Sequence, residues 1–377
     1  MELNKIYNEP CLETVKRFDD NSIDCVITSP PYWQLRDYGY DGQWGLEPTF
    51  NEYLEHLWQL MDAIYPKLKK SGTVWLNLGD TYGTKSGNFS NGNNLPSKLS
   101  YIGSIDSYTK PAGMDKCLLL IPHRFAIGCM DRGWIVRNDI VWAKRNAMPE
   151  PCTDRFSKKH EYFFLMVKSK DYYFDMDAIR DKAAPLNRWG GNKLKANGIS
   201  DWDLGTNQNS YRDRDMQPNN GMKNPGDVAD FWNIPTKPST DSHFAQYNDE
   251  LLKKPVLAGC PEFVCNKCGK PREKIIENTP MVINRSNRRE KMGQPNGIAA
   301  SGTMVSPSIN KVVGLTDCGC NAGFSGGLIY DPFMGSGTTA LMALRTGRKF
   351  IGSEMSTEYL KIANKYIDAA LNQTNLF

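Results

Sequence analysis

A chain of 377 residues is longer than one small core needs; at roughly 150 residues per domain it holds two domains, or one large α/β domain with inserts. Hydrophobic residues at 40% and charged residues at 23% exclude disorder as a description of the whole chain. The 46 Lys and Arg against 42 Asp and Glu leave a net charge of only +4, too little by itself to imply a nucleic-acid partner. In chain order, Ile23 to Thr28 reads as an apolar strand followed by a Pro-Pro turn. Tyr53 to Leu68 repeats apolar residues at helical spacing (Leu54, Leu57, Leu60, Met61, Ile64), and Thr73 to Leu78 is a second strand. Leu118 to Met130 predicts another helix, Trp134 to Trp142 a third strand and Tyr162 to Lys168 a fourth. Residues 181–240 lack a sustained apolar period and are rich in Asn, Gly, Asp and Arg, as is the Gly/Ser/Asn-rich stretch 263–326; both read as loops or small irregular modules. The α/β pattern then resumes with a strand from Leu328 to Tyr330, a glycine turn and a helix from Thr338 to Thr346. A strand from Phe350 to Ser353 and a helix from Glu358 to Leu371 complete it. Strands alternating with helices at this spacing indicate βαβ units and a mainly parallel sheet, here split between the two ends of the chain.

The amino terminus, Met1-Glu2-Leu3-Asn4-Lys5, lacks the apolar core of a signal peptide, and the longest apolar run, Cys117 to Pro122, is far short of a membrane span. A cytoplasmic protein is the expectation. Ten cysteines in this length do not make a disulfide framework.

Two segments carry chemistry. Asp331-Pro332-Phe333-Met334-Gly335-Ser336-Gly337-Thr338-Thr339 runs from strand through turn to helix, and its two glycines let the backbone turn sharply and lie close to a ligand. Glu354, 23 residues after Asp331 and just past the next strand, is placed to bind ribose hydroxyls. Alone, such a turn can be a plain strand–helix corner. Thr28-Ser29-Pro30-Pro31-Tyr32-Trp33 follows the first strand: two prolines make a rigid turn rich in carbonyl acceptors, Ser29 adds a hydroxyl, and Tyr32 adds a flat ring. Acceptors and a stacking surface are what an exocyclic amine on a base requires, although a Pro-Pro-aromatic turn alone can also be a mere corner.

Together, Ser-Pro-Pro-Tyr and Asp-Pro-Phe-x-Gly-Ser-Gly-Thr-Thr resemble the amino-group DNA methyltransferases, with the catalytic motif first and the cofactor motif last, as in the permuted β class. Val74 to Tyr82, Gly133 to Arg137, His160 to Leu165 and Trp232 to Pro235 leading to His243-Phe244-Ala245-Gln246-Tyr247 resemble further segments of that family. The resemblance implies a doubly wound, mainly parallel methyltransferase sheet with a recognition module and a zinc-ribbon-like insertion. It implies S-adenosyl-L-methionine held by Asp331, Pro332, Phe333, Gly335, Gly337, Thr338 and Glu354, with His243, Phe244 and Tyr247 closing over its methionine end. Ser29, Pro30, Pro31 and Tyr32 become the catalytic residues, with the target base flipped out of the duplex. The domain plan expected is a catalytic half at 1–180, target recognition at 181–230, a cofactor-closing segment at 231–262, a cysteine-containing insertion at 263–326 and a cofactor-binding half at 327–377. The partner is double-stranded DNA, met by a monomer or homodimer, and such enzymes can accompany a restriction endonuclease. Ser at position 29 points to cytosine N4, since relatives acting on adenine N6 usually carry Asp or Asn there. Adenine N6, RNA or a protein amide, and a non-catalytic DNA-binding zinc protein are the other readings.

Cys265-x-x-Cys268-Gly269-Lys270 and Cys318-x-Cys320 offer four thiolates for one structural zinc, the alternatives being free thiols or a share for Cys260. The Pro-Cys pairs at Cys11 and Cys152 lack the Glu-Asn-Val companion of cytosine-C5 enzymes, and the four histidines form no triad or HExxH pattern. For DNA contact the candidates are Arg188, Lys193, Lys195, Arg212, Arg214 and Lys223, interleaved with Trp189, Trp202 and Tyr211, and a second cluster at Arg285, Arg288, Arg289 and Lys291. Asp201, Asp203, Asp213 and Asp215 dilute the first group, so a solvated loop is the other reading.

Overall fold

The core of the sheet is set by one fully buried strand. Ile23–Thr28 (β2) is buried along its whole length because parallel neighbours flank it on both sides, and such strands read as continuous apolar runs. The computed structural model describes residues 1–83, 114–180, 228–236, 248–279, 282–284, 303–306 and 309–374. These fall into two compact units, one of residues 1–175, 230–271 and 318–377, the other of residues 176–229 and 272–317.

The first unit contains an eight-stranded sheet. Its other strands are Lys5–Tyr7 (β1), Leu68–Leu78 (β3), Ile135–Ala143 (β4), His160–Val167 (β5), Phe231–Asn233 (β6), Leu328–Asp331 (β13) and Lys349–Ser353 (β14). The order is β1-β14-β13-β2-β3-β5-β4-β6. All neighbours run parallel except β5, which is antiparallel to both β3 and β4. The helices are Cys11–Lys16 (α1), Phe50–Lys67 (α2), Ile121–Asp131 (α3), Asp249–Gly259 (α4), Thr338–Arg345 (α5) and Thr357–Thr374 (α6). Alternation along the strands feeds two cores: Val74, Leu76 and Leu78 join α1, α2 and α3 on one face, while Trp75, Ile27 and Leu165 join α4, α5 and α6 on the other. This is the doubly wound α/β sheet that the motif order implies.

Local chemistry explains the elements. Helix α2 starts on a capping box, with Glu52 N donating to Thr49 Oγ1 at 3.2 Å and Thr49 N to Glu52 Oε2 at 3.1 Å; its stripe of Tyr53, Leu54, Leu57, Met61 and Ile64 is buried. Asp24, the one charge inside β2, is buried against Lys69 Nζ at 2.7 Å and accepts the Leu328 amide at 2.9 Å. Among the described residues no helix is long and apolar enough to cross a membrane.

Several elements escape a pattern reading. Strand β1 has only three residues, and Asn4 fastens it to Phe350 through backbone and side-chain bonds of 2.8 and 3.1 Å. The stretch 263–326, read as irregular, instead holds Val264–Cys265 (β7), Lys274–Thr279 (β8), Val282–Asn284 (β9), Thr303–Ser306 (β10), Ile309–Leu315 (β11) and Phe324–Ser325 (β12). Its pairs are all antiparallel: β7 with β12 in the first unit, β8 with β11 and β9 with β10 in the second. The second unit also contains a 3₁₀ turn at Met176–Ile179.

Gly128 lies in α3 where a Cβ would meet the Trp58 ring at 2.3 Å, and the Trp58 indole donates to the Phe125 carbonyl at 3.1 Å. Replacing a helical Gly with Ala normally stabilises by about 0.5–1 kcal/mol. Here overpacking against a pinned ring outweighs that gain. Gly128→Ala should lose about 1–3 kcal/mol in a urea unfolding measurement, and a gain would contradict the packing described.

Candidate active site

Strands β13 and β2 end side by side, and their helices leave toward opposite edges of the sheet: α5 leads to β14, α2 to β3. A crevice opens beyond the carboxyl ends at such a switch point. Asp331, the last residue of β13, is buried there. Its Oδ1 accepts from Thr28 Oγ1 at 2.8 Å and from the Phe333 amide at 3.0 Å, and its Oδ2 accepts from Thr339 Oγ1 at 2.6 Å. Burial pushes its carboxyl up to about 6 despite these donors. Asp331, one of the residues expected to hold the cofactor, is also the clasp beneath the turn, with three of its about four acceptor sites engaged by the protein.

Above it the two glycines adopt φ of +55° (Gly335) and +86° (Gly337), a region that L side chains rarely enter. Gly337 precedes Thr338 at the start of α5, and a Cβ there would sit 3.0 Å from that of Ala363. Glu354 is buried at the end of β14. Its Oε2 accepts the Gly335 amide at 2.8 Å and its Oε1 the Ser356 amide at 2.8 Å, while burial raises its carboxyl above the ordinary range. A carboxylate has about four acceptor sites, so two bonds leave room for hydroxyl donors. Pro332, Phe333 and Glu354 line a cleft of about 470 Å³ counting its open mouth, closed on other sides by Cys11, Tyr40 and Trp44. Trp44 packs on Phe333 with ring centroids 5.3 Å apart. The walls from α1 and the 40–44 loop were not legible, because neither carries a ligand-binding pattern.

The turn after β2 is held from three strands. Tyr32 hydroxyl lies 2.7 Å from Glu161 Oε2 on β5 and 2.9 Å from Asn77 Oδ1 on β3; Glu161 is ion-paired in turn with Lys144, just past β4. Asn77 Nδ2 donates to the Tyr162 carbonyl at 3.0 Å, which fixes Asn77 Oδ1 as an acceptor. Gly79 lies against the Tyr32 ring, where a Cβ would be 2.6 Å from Cε2. The Pro31 carbonyl accepts from the Tyr53 hydroxyl at 2.8 Å, whereas among the described residues nothing donates to the Pro30 carbonyl. Ser29 Oγ is 3.5 Å from Asn77 Oδ1, too long to hold it firmly. Asn77, Glu161 and Lys144 lie in or beside segments that resemble the family, yet nothing in a single sequence says that they meet Tyr32.

Cys265, Cys268, Cys318 and Cys320 come together with their sulfurs within 4.8 Å of one another. Tetrahedral zinc with Zn–S bonds of about 2.3 Å requires sulfurs about 3.8 Å apart, so the set fits one ion with small adjustment. Amide donors at Cys268 and Lys267 hold the Cys265 thiol down to about 6. Cys260 is buried apart from this cluster, with its thiol pushed well up by burial. Cys11 is raised to about 12 by burial, unlike an attacking thiolate, and Cys152 Sγ is engaged with the Arg155 carbonyl at 3.5 Å. His243, Phe244 and Tyr247, together with Arg188, Lys193, Lys195, Arg212, Arg214, Arg288 and Arg289, lie outside the described residues.

With this geometry, comparison with known proteins is decisive. The family model for N6/N4 DNA methylases, described as DNA methylase, matches residues 23–266 and 315–365. The chain belongs to the N6/N4 DNA methylase family. It is 29% identical over 357 residues to the Type II methyltransferase M.SmaI of Serratia marcescens, covering 94% of this chain and 87% of that one. It is 28% identical over 367 residues to M.Cfr9I of Citrobacter freundii, covering 96% and 88%. The cytosine-N4-specific PvuII DNA methyltransferase shares the fold, with a TM-score of 0.50 at 15% identity over 98% of this chain and 91% of that one. The interval that the methylase model skips, 267–314, opens inside the first cysteine pair and closes before the second.

In this methylase the Asp331 clasp has a pH signature. Its carboxyl keeps a proton in the native state that the unfolded chain releases near the ordinary carboxylate value, so the stability tied to that proton is present below about pH 4 and lost as pH rises through about 6. Between about pH 4 and pH 7, wild-type protein should lose up to about 3 kcal/mol that Asp331→Asn does not lose. Parallel urea unfolding curves at the two pH values would measure the difference, and matching pH dependences would refute the assignment.

Proposed function

We propose that this protein is a Type II DNA methyltransferase that methylates cytosine N4 within a specific duplex sequence, with S-adenosyl-L-methionine as methyl donor. The observation that carries the transfer reaction is the Thr28–Asp331 bond, which sets the acceptor-rich Ser29–Tyr32 turn beside the glycine turn at adjoining strand ends. The donor set of the cleft suits this cofactor: Glu354 has acceptor sites left for ribose hydroxyls, Pro332, Phe333 and Trp44 offer apolar surface for an adenine ring, and the left-handed glycines allow close backbone approach. Asp331, Pro332, Phe333, Gly335, Gly337, Thr338 and Glu354 would hold it, Asp331 also bracing the turn, and His243, Phe244 and Tyr247 are proposed to cover its methionine end. When bound, it supplies a methyl group on a positively charged sulfur.

The chain's own residues prepare the nucleophile. Tyr32, anchored at its hydroxyl, presents its ring to the flipped base. The Pro30 carbonyl and Ser29 hydroxyl accept the two amine hydrogens, which turns the nitrogen lone pair out of ring conjugation. Rate comes from positioning and electrostatics, without a covalent enzyme intermediate. Cytosine is favoured over adenine by Ser29, a short neutral acceptor where Asp or Asn accompanies adenine, and the N4 specificity of the PvuII enzyme agrees with that choice. Residues 181–230, through Arg188, Lys193, Lys195, Arg212 and Arg214, and the Arg288–Arg289 pair are proposed to contact DNA. A cytoplasmic monomer or homodimer working beside a restriction endonuclease fits the Type II relatives.

DNA from cells expressing this chain, digested to nucleosides and resolved by mass spectrometry, should contain N4-methylcytosine. N6-methyladenine in its place would overturn the reading of Ser29, and neither product would overturn the methyltransferase assignment itself. The cysteine cluster is proposed to hold one structural zinc. Metal analysis of protein never exposed to chelator should find about one zinc per chain, and its removal should lower the unfolding midpoint; metal-free protein of unchanged stability would exclude the ion.

A further inference from the structure

Phe156 is 95% exposed and Met148 84% exposed, the two most exposed large apolar side chains among the described residues. Single exposed apolar residues are ordinary on protein surfaces, so exposure alone means little. These two, however, belong to a loop that is firmly built. Residues 144–159 join β4 to β5, and the Lys144 amide closes the loop on the Lys159 carbonyl at 2.9 Å. Asn146 exchanges bonds of 2.8–2.9 Å with Thr236, and Arg145 Nε donates to Asn233 Oδ1 at 2.7 Å. On the other limb Lys158 Nζ donates to the Asp80 carbonyl, and the Arg155 guanidinium lies 3.9 Å from the Tyr82 ring centroid while donating to the Phe156 carbonyl at 3.1 Å. The scaffold is fastened and its apolar tip is left in water.

The loop is also basic and close to the chemistry. It carries five cations (Lys144, Arg145, Arg155, Lys158, Lys159) against two anions (Glu150, Asp154), and Lys116 neutralises Asp154 at 2.6 Å. Its first residue, Lys144, is ion-paired with Glu161, which holds the Tyr32 hydroxyl. Phe156 precedes Glu161 by five residues, a span of at most about 18 Å in extended chain. A cationic loop beside the tyrosine read as base-binding, ending in an aromatic ring with no ring or cation partner among the described residues, matches one occupant: a duplex from which a base has just been removed. Apolar side chains inserted between base steps offset the stacking lost there, and lysines and arginines beside them meet phosphates.

We propose that the 144–159 loop enters the DNA at the target site and that Phe156 fills the space left by the flipped base, holding it out of the stack, with Arg145 and Lys159 on the backbone. This rests on the DNA methyltransferase reading. The probe is a duplex carrying the site that modification sequencing identifies, prepared once with the target base paired and once with it mispaired, where extrusion is cheaper. Phe156→Ala should reduce methylation of the paired duplex on the order of tenfold or more. It should leave the mispaired duplex, cofactor affinity and unfolding midpoint about unchanged, and Phe156→Leu should retain most activity. An equal loss on both duplexes, or none on the paired one, overturns the role of Phe156 while wild-type activity still supports the enzyme reading. A wild-type protein inactive on both duplexes overturns that reading, and this inference with it.

Discussion

The Asp331 carboxylate is the constraint on which the site depends. A buried carboxylate is costly unless hydrogen bonds replace its water, and here three donors do so from three segments: Thr28 at the end of β2, Thr339 in α5 and the Phe333 amide in the turn. Thr28 and Asp331 are 303 residues apart in the chain. The same bond that stabilises the charge therefore fixes the distance between the proline turn and the glycine turn. Neither motif could shift along its strand without stranding an oxygen of Asp331, so the proline turn and the glycine turn keep a common register despite lying at opposite ends of the sequence.

The other wall of the site is built by the antiparallel part of the sheet. Placing β5 between β3 and β4 brings Asn77, Glu161 and Lys144 to one place, where the Tyr32 hydroxyl meets two acceptors from different strands. One hydroxyl proton serves either Glu161 at 2.7 Å or Asn77 at 2.9 Å, and both acceptors hold the hydroxyl in the same place. That restrains the tilt of the ring while Gly79 permits close approach along its edge. In the proposed transfer, orienting this ring against the base is the contribution that positioning would require.

What could be read in advance follows from range. Helices α2, α5 and α6 and strands β2, β3, β13 and β14 declare themselves through periods and turn residues within a few positions of each other. Glycine turn, prolines and Glu354 do the same because close backbone approach and fixed φ demand particular residue types. Elements defined by a distant partner stayed silent. The three residues of β1 are a strand only because β14 lies beside them, and α4 carries Pro255 and Lys253-Lys254 within a short apolar stretch. Strands β8 and β11 lie about 30 residues apart, with no tight turn to announce them. Glu161 and Asn77 belong to the same class: their identities are visible, but their meeting is a property of strand order.

The cysteine cluster shows how such a core can carry an insertion. The chain leaves the sheet-bearing unit after Pro271 and returns at Cys318, with one cysteine pair before the departure and the other at the return. Two short antiparallel strands, β7 and β12, pair only Cys265 with Phe324 and Val264 with Ser325, too little ladder to fix the two crossings alone. Closing a long loop costs entropy that grows only slowly with its length, so one clamp at its base serves an insert of almost any size. Thiolates on both limbs could form such a clamp, because a zinc ion held by them would join the limbs without requiring any sequence inside the loop to fold first. The interval absent from the methylase model begins and ends at these limbs, which is where a core indifferent to its insert would tolerate one.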